Sequence, residues 1–315
     1  MTMKKFLPRT VENRGDLCYN KNHGNNMEQE SKTMDFETLK QRISRENYIC
    51  DDSLATVLYV ALTLGRPLLI EGAAGVGKTE VAKVMAAVLD RELVRLQCYE
   101  GLDESKALYE WNYQKQLLAI QMGAEGMSDL FGEEYLLERP LLKSIRSAEP
   151  TVLLIDEIDK ADAEFEAFLL ELLSEMQVTI PEYGTVRART TPFIVLTSNH
   201  TRPLSEALRR RCAYLYIDYP DVDKEVRILR AKLPGVDEVL ARQVARAAAY
   251  LRASDKVLKK PSIAESIDWA SALMALGAPE LDDETCAQTI GFALKNSGDI
   301  KEILEDDEFI RHLIQ

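Results

Sequence analysis

Gly72-Ala73-Ala74-Gly75-Val76-Gly77-Lys78-Thr79 follows the apolar run Pro67-Leu68-Leu69-Ile70-Glu71 and leads into residues 78–89, where Val81, Val84, Met85 and Val88 share one helical face. The string matches G-x-x-x-x-G-K-[ST] between a strand and a helix, the context that marks a phosphate-binding loop rather than an ordinary glycine-rich turn. Its glycines let backbone N–H groups wrap phosphate oxygens, and the helix N-terminus adds a favourable dipole. Gly72 to Thr79, with Glu80 one step into the helix, are therefore the first candidate binding residues. Lys78 is placed to reach β- and γ-phosphates, and Thr79 to ligate a divalent cation.

Outward from this loop, short apolar runs recur at Glu92–Gln97, Thr151–Ile155, Phe193–Thr197 and Tyr214–Ile217. Together with Pro67–Glu71 they predict five strands alternating with helices, hence an α/β fold with a mostly parallel sheet covered on both faces. Amphipathic stretches at 36–44 and 53–64 precede the first strand, with Asp52 or Ser53 as the expected cap of the second. After Pro220 only helical patterns remain, at about 223–233, 237–253, 262–276, 282–295 and 299–314. This change places a boundary near residue 220, between an α/β domain over 34–220 and an all-helical domain over 221–315. Residues 1–33 have little apolar periodicity and read as a disordered tail.

Ligands in such sheets bind at the carboxyl ends of strands, and the remaining candidates all lie there. Val152-Leu153-Leu154-Ile155-Asp156-Glu157 ends a buried strand on two carboxylates, a costly arrangement without a metal or partner charge. Asp156 suits the cation's ligand shell; Glu157 suits the orientation or deprotonation of an attacking water, which predicts hydrolysis rather than binding alone. Asp159 and Lys160 read as structural or interface residues. Asn199, ending the next strand, can hydrogen-bond that water or a γ-phosphate. Leu208-Arg209-Arg210-Arg211-Cys212 is by default a solvated face, but a guanidinium supplied across a subunit boundary can neutralise charge developing on a γ-phosphate, and Arg211 is the leading candidate.

Composition narrows the function class. Hydrophobic residues make up 46% and charged residues 29%, too polar for a membrane protein, and no apolar run approaches the roughly 18 residues needed to span a bilayer. A net charge of −13 opposes a broad nucleic-acid surface, which needs clustered Lys and Arg. Cys18, Cys50, Cys98, Cys212 and Cys286 form no C-x-x-C pair, arguing against a disulfide framework or zinc site and for a reducing cytoplasm. His23, His200 and His312 have no ligand-like spacing.

The order of phosphate loop, Asp-Glu strand, Asn strand, arginine cluster and helical tail resembles the AAA+ ATPases, over roughly residues 36–315, and within them the MoxR branch. Residues 97–103 (QCYEGLD), 108–113 (LYEWNY) and 165–171 (FEAFLLE) look like its CoxD-type members. The resemblance implies ATP and Mg²⁺, and a homo-oligomeric ring, usually a hexamer, with ATP between subunits. It implies Arg211 as the finger donated to a neighbour, with Arg210 beside it. It implies that Tyr48 and Ile49 line the adenine pocket, although simple hydrophobic packing explains these two nearly as well. Inserts at about 101–121 and in a hairpin over 178–187 are expected to face a pore or client, the hairpin having support of its own from a Pro/Gly turn between strand-like flanks. CoxD-like proteins are associated with von Willebrand A domain partners and with maturation or metal-cofactor insertion of molybdenum hydroxylases, which implies a chaperone-like role. A DNA-directed motor, helicase or clamp-loader in type, is the competing reading, disfavoured by the acidity. One departure is plain: where relatives carry a γ-phosphate-sensing arginine in the helical lid, this chain reads Lys259-Lys260-Pro261-Ser262-Ile263-Ala264-Glu265, which leaves Lys260 as the substitute to consider.

Overall fold

The three central runs, Leu68–Glu71, Val152–Asp156 and Phe193–Ser198, pair as parallel strands buried on both faces, whereas the edge runs Leu93–Gln97 and Ala213–Tyr216 leave part of their side chains exposed. A computed structural model of the chain describes residues 34–121, 130–306 and 308–309; the tail expected over 1–33 and the end of the last expected helix lie outside them. Five strands, β1 (Leu68–Glu71), β2 (Leu93–Gln97), β5 (Val152–Asp156), β8 (Phe193–Ser198) and β9 (Ala213–Tyr216), form one sheet in the order β2-β5-β8-β1-β9. All four ladders are parallel. Side-chain alternation splits the runs between two cores. Leu69, Leu153, Ile155, Ile194 and Leu196 face one, and Leu68, Ile70, Leu154, Phe193 and Val195 the other.

Helices α1 (Phe36–Arg45), α2 (Asp52–Leu64) and α3 (Lys78–Leu89) cover the second face. The cap of α2 is Asp51, whose carboxylate accepts from Leu54 N–H at 2.9 Å, and not Asp52 or Ser53. Three residues back from Leu54 is the position from which a short carboxylate reaches the first free N–H of the turn.

Between β2 and β5 lie α4 (Glu104–Ala107), β3 (Tyr109–Trp111), α5 (Tyr113–Gln121), β4 (Leu136–Glu138) and α6 (Pro140–Arg146), with β3 and β4 antiparallel. Helix α7 (Ala163–Glu175) leads into the expected hairpin, observed as β6 (Gln177–Ile180) and β7 (Gly184–Arg187). The short helix α8 (Glu206–Arg211) carries the arginine run.

Beyond β9 the chain is helical: α9 (Val222–Lys232), α10 (Glu238–Ala253), α11 (Ile263–Leu276), α12 (Asp283–Thr289) and α13 (Ser297–Leu304). These helices bury their own core around Trp269, Val244, Leu273 and Ile303. The helix expected over 282–295 leaves α geometry at Thr289 and continues as a 3₁₀ turn, Ile290–Phe292. Gly291, the poorest helix former short of proline, sits at that break.

Candidate functional site

The loop after β1 turns twice through left-handed backbone, at Gly75 (φ +74°) and Gly77 (φ +96°), before entering α3. Most helices here are capped by Asp, Ser or Asn side chains, whereas α3 has Gly77 as N-cap and no side-chain cap bond. Its first N–H groups are left for an exogenous acceptor, and an anion satisfies both them and the dipole.

Lys78, only 6% exposed, donates all three ammonium protons within this region: to Gly72 O (2.8 Å), Ala73 O (2.6 Å) and Asn199 Oδ1 (2.7 Å). Burial holds its ammonium below its ordinary pKa, opposed by the carboxylates of Asp159, Asp156 and Glu157. Thr79 Oγ1 donates to Asp156 Oδ1 at 3.0 Å, bringing together the hydroxyl and carboxylate that the sequence assigns to the cation.

Strand register carries the rest. Gln97 lies beside Asp156, and Thr197 follows the Ile155–Leu196 pair, so these three side chains meet at the carboxyl end of the sheet. Thr197 Oγ1 donates to Asp156 (2.6 Å) and accepts from Glu157 N–H (2.8 Å). Glu157 itself is left-handed, φ +56°, ψ +50°, a conformation that disfavours a side-chain-bearing residue by about 1–2 kcal/mol. Its Oε1 accepts from Asn199 Nδ2 (3.1 Å), and its Oε2 from Gln97 Nε2 (3.0 Å) and Lys160 Nζ (2.6 Å). Asn199 thus bridges Lys78 and Glu157. Its backbone is fixed by Asp159, a buried carboxylate that accepts from Asn199 N–H (3.1 Å), Thr201 N–H (2.9 Å) and Thr201 Oγ1 (2.6 Å). Burial works to raise the Asp159 carboxyl, but these bonds outweigh it and hold it below the ordinary value.

Residues 67–212 match the AAA domain, dynein-related subfamily. Curated relatives include an uncharacterized protein of Staphylococcus aureus (strain bovine RF122 / ET3-1), 27% identical over 199 residues, 61% of this chain and 71% of its own. Another, from S. aureus strain USA300, is 28% identical over 166 residues, 51% of this chain and 58% of its own. Among solved structures, a Thermotoga maritima RuvB mutant aligns with a TM-score of 0.48 at 17% identity, covering 82% of this chain and 76% of that one. The matched span of the AAA domain contains every phosphate-loop, acidic and asparagine candidate.

Beside the loop opens a cavity of about 500 Å³, walled by Tyr48, Ile49, Val76, Tyr219, Ile263 and Ile267. Tyr48 and Ile49 form one wall of this cavity, and the C-terminal helices close the opposite wall. The N-terminus of α11 rests on the loop: Ile263 N–H donates to Gly75 O at 3.2 Å. Two ion pairs bind α9 to the other rim, Lys232–Glu80 and Lys224–Asp51, at 2.8 and 2.9 Å. Lys260 instead donates to Ser254 O, within its own helical region.

The arginines divide. Arg209 pairs with the buried Glu71, immediately before the loop, at 3.2 Å. Arg210 pairs with Glu206 one turn away, and Arg211 is held by Ser174 Oγ and Ala207 O. None of the partners of Arg210 and Arg211 belongs to the phosphate loop. Sequence reading missed Gln97 and Thr197 as site residues, and Arg95, whose guanidinium reaches Asp156. No local pattern marks the three, because Arg95 lies mid-strand on the half-exposed β2 and the roles of Gln97 and Thr197 depend on which strand lies beside which.

The residues fit a small, hard divalent cation. Thr79 and Asp156 offer oxygen ligands 3.0 Å apart, and among the described residues no group of three or more His, Cys, Asp or Glu could hold a metal alone. One or two protein oxygens completed by substrate phosphates is the usual Mg²⁺ arrangement. No helix among the described residues is long and apolar enough to cross a membrane.

Proposed function

We propose that the chain is a Mg²⁺-dependent ATPase of the AAA+ type that remodels a protein partner. The observation that carries this reading is the convergence of Lys78, Thr79, Asp156, Glu157 and Asn199 on one strand-end cleft next to the cavity. The base and ribose of ATP occupy that cavity against Tyr48 and Ile49. The phosphates lie along residues 72–80, taking up the N–H groups that Gly77 leaves uncapped.

Lys78 exchanges the carbonyls of Gly72 and Ala73 for phosphate oxygens. Thr79 and Asp156 hold the metal, which when bound supplies positive charge to the β- and γ-phosphates. Glu157 takes the proton of the attacking water, and Asn199 aligns that water. Arg211, with Arg210 beside it, completes the site of a neighbouring subunit in a homo-oligomeric ring, a hexamer by family resemblance. Neither is bonded to the loop of its own chain, in keeping with donation outward.

A protein client is supported by the insert after β2. Its helix α5 exposes Tyr113, Leu117 and Ile120 at the spacing of one helical face, with Leu118 beside it, large apolar side chains of the kind that mark contact with another protein. The CoxD-type strings point to a von Willebrand A domain partner and to maturation, or metal-cofactor insertion, of an enzyme such as a molybdenum hydroxylase. The deciding experiment compares wild type with Glu157→Gln. Turnover of Mg-ATP should fall by roughly 10²-fold or more while nucleotide binding persists. Unchanged turnover would remove Glu157 as the base. Marked, salt-sensitive stimulation of wild type by duplex DNA would favour the DNA-directed motor instead.

A further inference from the structure

Asp156 is 2% exposed, and its carboxylate is divided among three side chains. Oδ1 accepts from Thr197 and Thr79, both neutral hydroxyls. Oδ2 accepts from Arg95 Nη2 at 2.5 Å, the one positively charged group bonded to this carboxylate among the described residues. Lys78, the nearest alternative, has its three protons on Gly72, Ala73 and Asn199. A charge so enclosed is costly without a partner, and Arg95 is the countercharge bonded to Asp156 while no cation is bound.

Arg95 is unlike a fixed structural partner. It stands on the edge strand β2, with half of its side chain in solvent, and reaches across the end of the sheet to β5. Its second bond, to Gln97 Oε1 at 2.5 Å, is exposed, and the one to Asp156 is part-buried. Because half of the side chain is already in water, the guanidinium can return to solvent at little desolvation cost. The carboxylate it pairs with, through Oδ2, is the one whose Oδ1 lies beside Thr79 and which the proposed function gives to a divalent cation. A guanidinium and a dication on one carboxylate repel each other, so the two compete.

We infer that Arg95 is the resident counterion of Asp156, displaced when the divalent cation binds, and that it thereby sets the cation concentration at which the site loads. The inference rests on the reading of Thr79 and Asp156 as the cation site. It makes Arg95 a positioning residue with a cost attached. It holds the carboxylate in place for the cation, and it raises the concentration needed to fill the site.

The test uses the full chain with Arg95→Met, which keeps the stem and removes the charge, and Arg95→Lys, which keeps the charge with a single-point donor. Binding of a fluorescent ATP analogue is followed while Mg²⁺ is titrated. The half-saturating Mg²⁺ should fall about tenfold in Arg95→Met, the scale of one half-exposed charge-assisted hydrogen bond, and less in Arg95→Lys. Thermal unfolding in EDTA, without nucleotide, supplies the second readout. Arg95→Met should melt several degrees lower than wild type, recover with Mg²⁺, and lose nothing further in an Asp156→Asn background. An unchanged or raised half-saturating Mg²⁺ in both variants overturns the inference, as does an equal melting loss in the Asp156→Asn background, which would make Arg95 a structural residue. Analogue binding by wild type with no Mg²⁺ dependence would remove the cation site, and this inference with it. Mg²⁺ dependence that ignores Arg95 would remove only the inference.

Discussion

Gly75→Ala, in the middle of the phosphate loop, should destabilise the protein through the helical region and not only through the loop. Gly75 has φ +74°, where a side chain is disfavoured by about 1–2 kcal/mol. The added methyl would also stand 2.2 Å from Ser262 Cβ and 2.8 Å from its hydroxyl, inside any tolerable contact, while the backbone Cα of Ser262 lies at 3.5 Å. Overpacking of that kind adds roughly 1–3 kcal/mol, so the single variant should lose about 2–5 kcal/mol in total. Ser262→Gly removes both clashing atoms. It also removes the cap of α11, which accepts from Glu265 N–H, at a few tenths of a kcal/mol when glycine replaces it. The double variant should therefore retain only the backbone strain and the lost cap, about 1.5–2.5 kcal/mol, leaving a favourable coupling of about 1–3 kcal/mol. Urea unfolding of the four proteins without nucleotide measures this cycle. The chain's two tryptophans, Trp111 in the α/β core and Trp269 in the helical core, report the two regions separately. Additive losses, or a Gly75→Ala variant as stable as wild type, would refute the seating of α11 on the loop.

Other consequences are more local. Lys78→Met should weaken nucleotide binding at least about tenfold, read by calorimetry or a fluorescent analogue, because a buried ammonium with two bonds to the loop and one to Asn199 is removed. Burial works to raise the Asp51 carboxyl, yet the Leu54 N–H, Lys224 and Ser53 hold it at about 2. Its folded value lies below the unfolded one of about 3.9, so it contributes stability above pH 4 that is lost as pH falls toward 2. The urea-midpoint difference between wild type and Lys224→Met should accordingly shrink across that interval; a constant difference would remove the Lys224–Asp51 pair from the account. Burial raises the thiols of Cys212 and Cys286 to about 12, against nearby arginines in the first case and with nearby aspartates in the second. Both should resist iodoacetamide at pH 8 in the folded protein and react in guanidine, as peptide mass mapping would report.

What sequence could and could not reveal divides along one physical line. Lys78 and Thr79 were legible from the glycine-rich loop, and Asp156, Glu157 and Asn199 because they follow apolar runs whose carboxyl ends parallel strands place together whatever the detailed register. The helices of the C-terminal region were legible from their periodicity, within a few residues at their ends. Arg95, Gln97 and Thr197 were not, because their roles depend on which strand lies beside which. The order β2-β5-β8 sets Gln97 next to Asp156 and brings Thr197 close behind, and no local pattern encodes that order. Asp159 read as structural or interface, and is structural in a particular sense: it fixes the backbone of Asn199. The break of the fourth C-terminal helix at Thr289 was hidden because its apolar positions continue through Ile290, Ala293 and Leu294, which remain buried in the tighter turn.

The attachments between the helical region and the sheet bear directly on how occupancy of the cavity would be felt. They are the Ile263–Gly75 backbone bond, the close contact of Ser262 with Gly75, and the pairs Lys232–Glu80 and Lys224–Asp51. Each touches the cavity wall or the phosphate loop. Arg252 fastens the same seam from within the helical region, pairing with the fully buried Glu225, donating to Pro261 O just before α11, and lying 4.7 Å from the Tyr219 ring on the cavity wall. A ligand in the cavity must therefore share its walls with contacts that fix the angle between the two regions. The exposed pairs contribute little individually, about 0–1 kcal/mol each, so the angle is held firmly only where α11 meets Gly75. Any ligand that presses on residues 75–77 acts on that contact first, and it can shift the helices only by as much as it binds one arrangement of them more tightly than another.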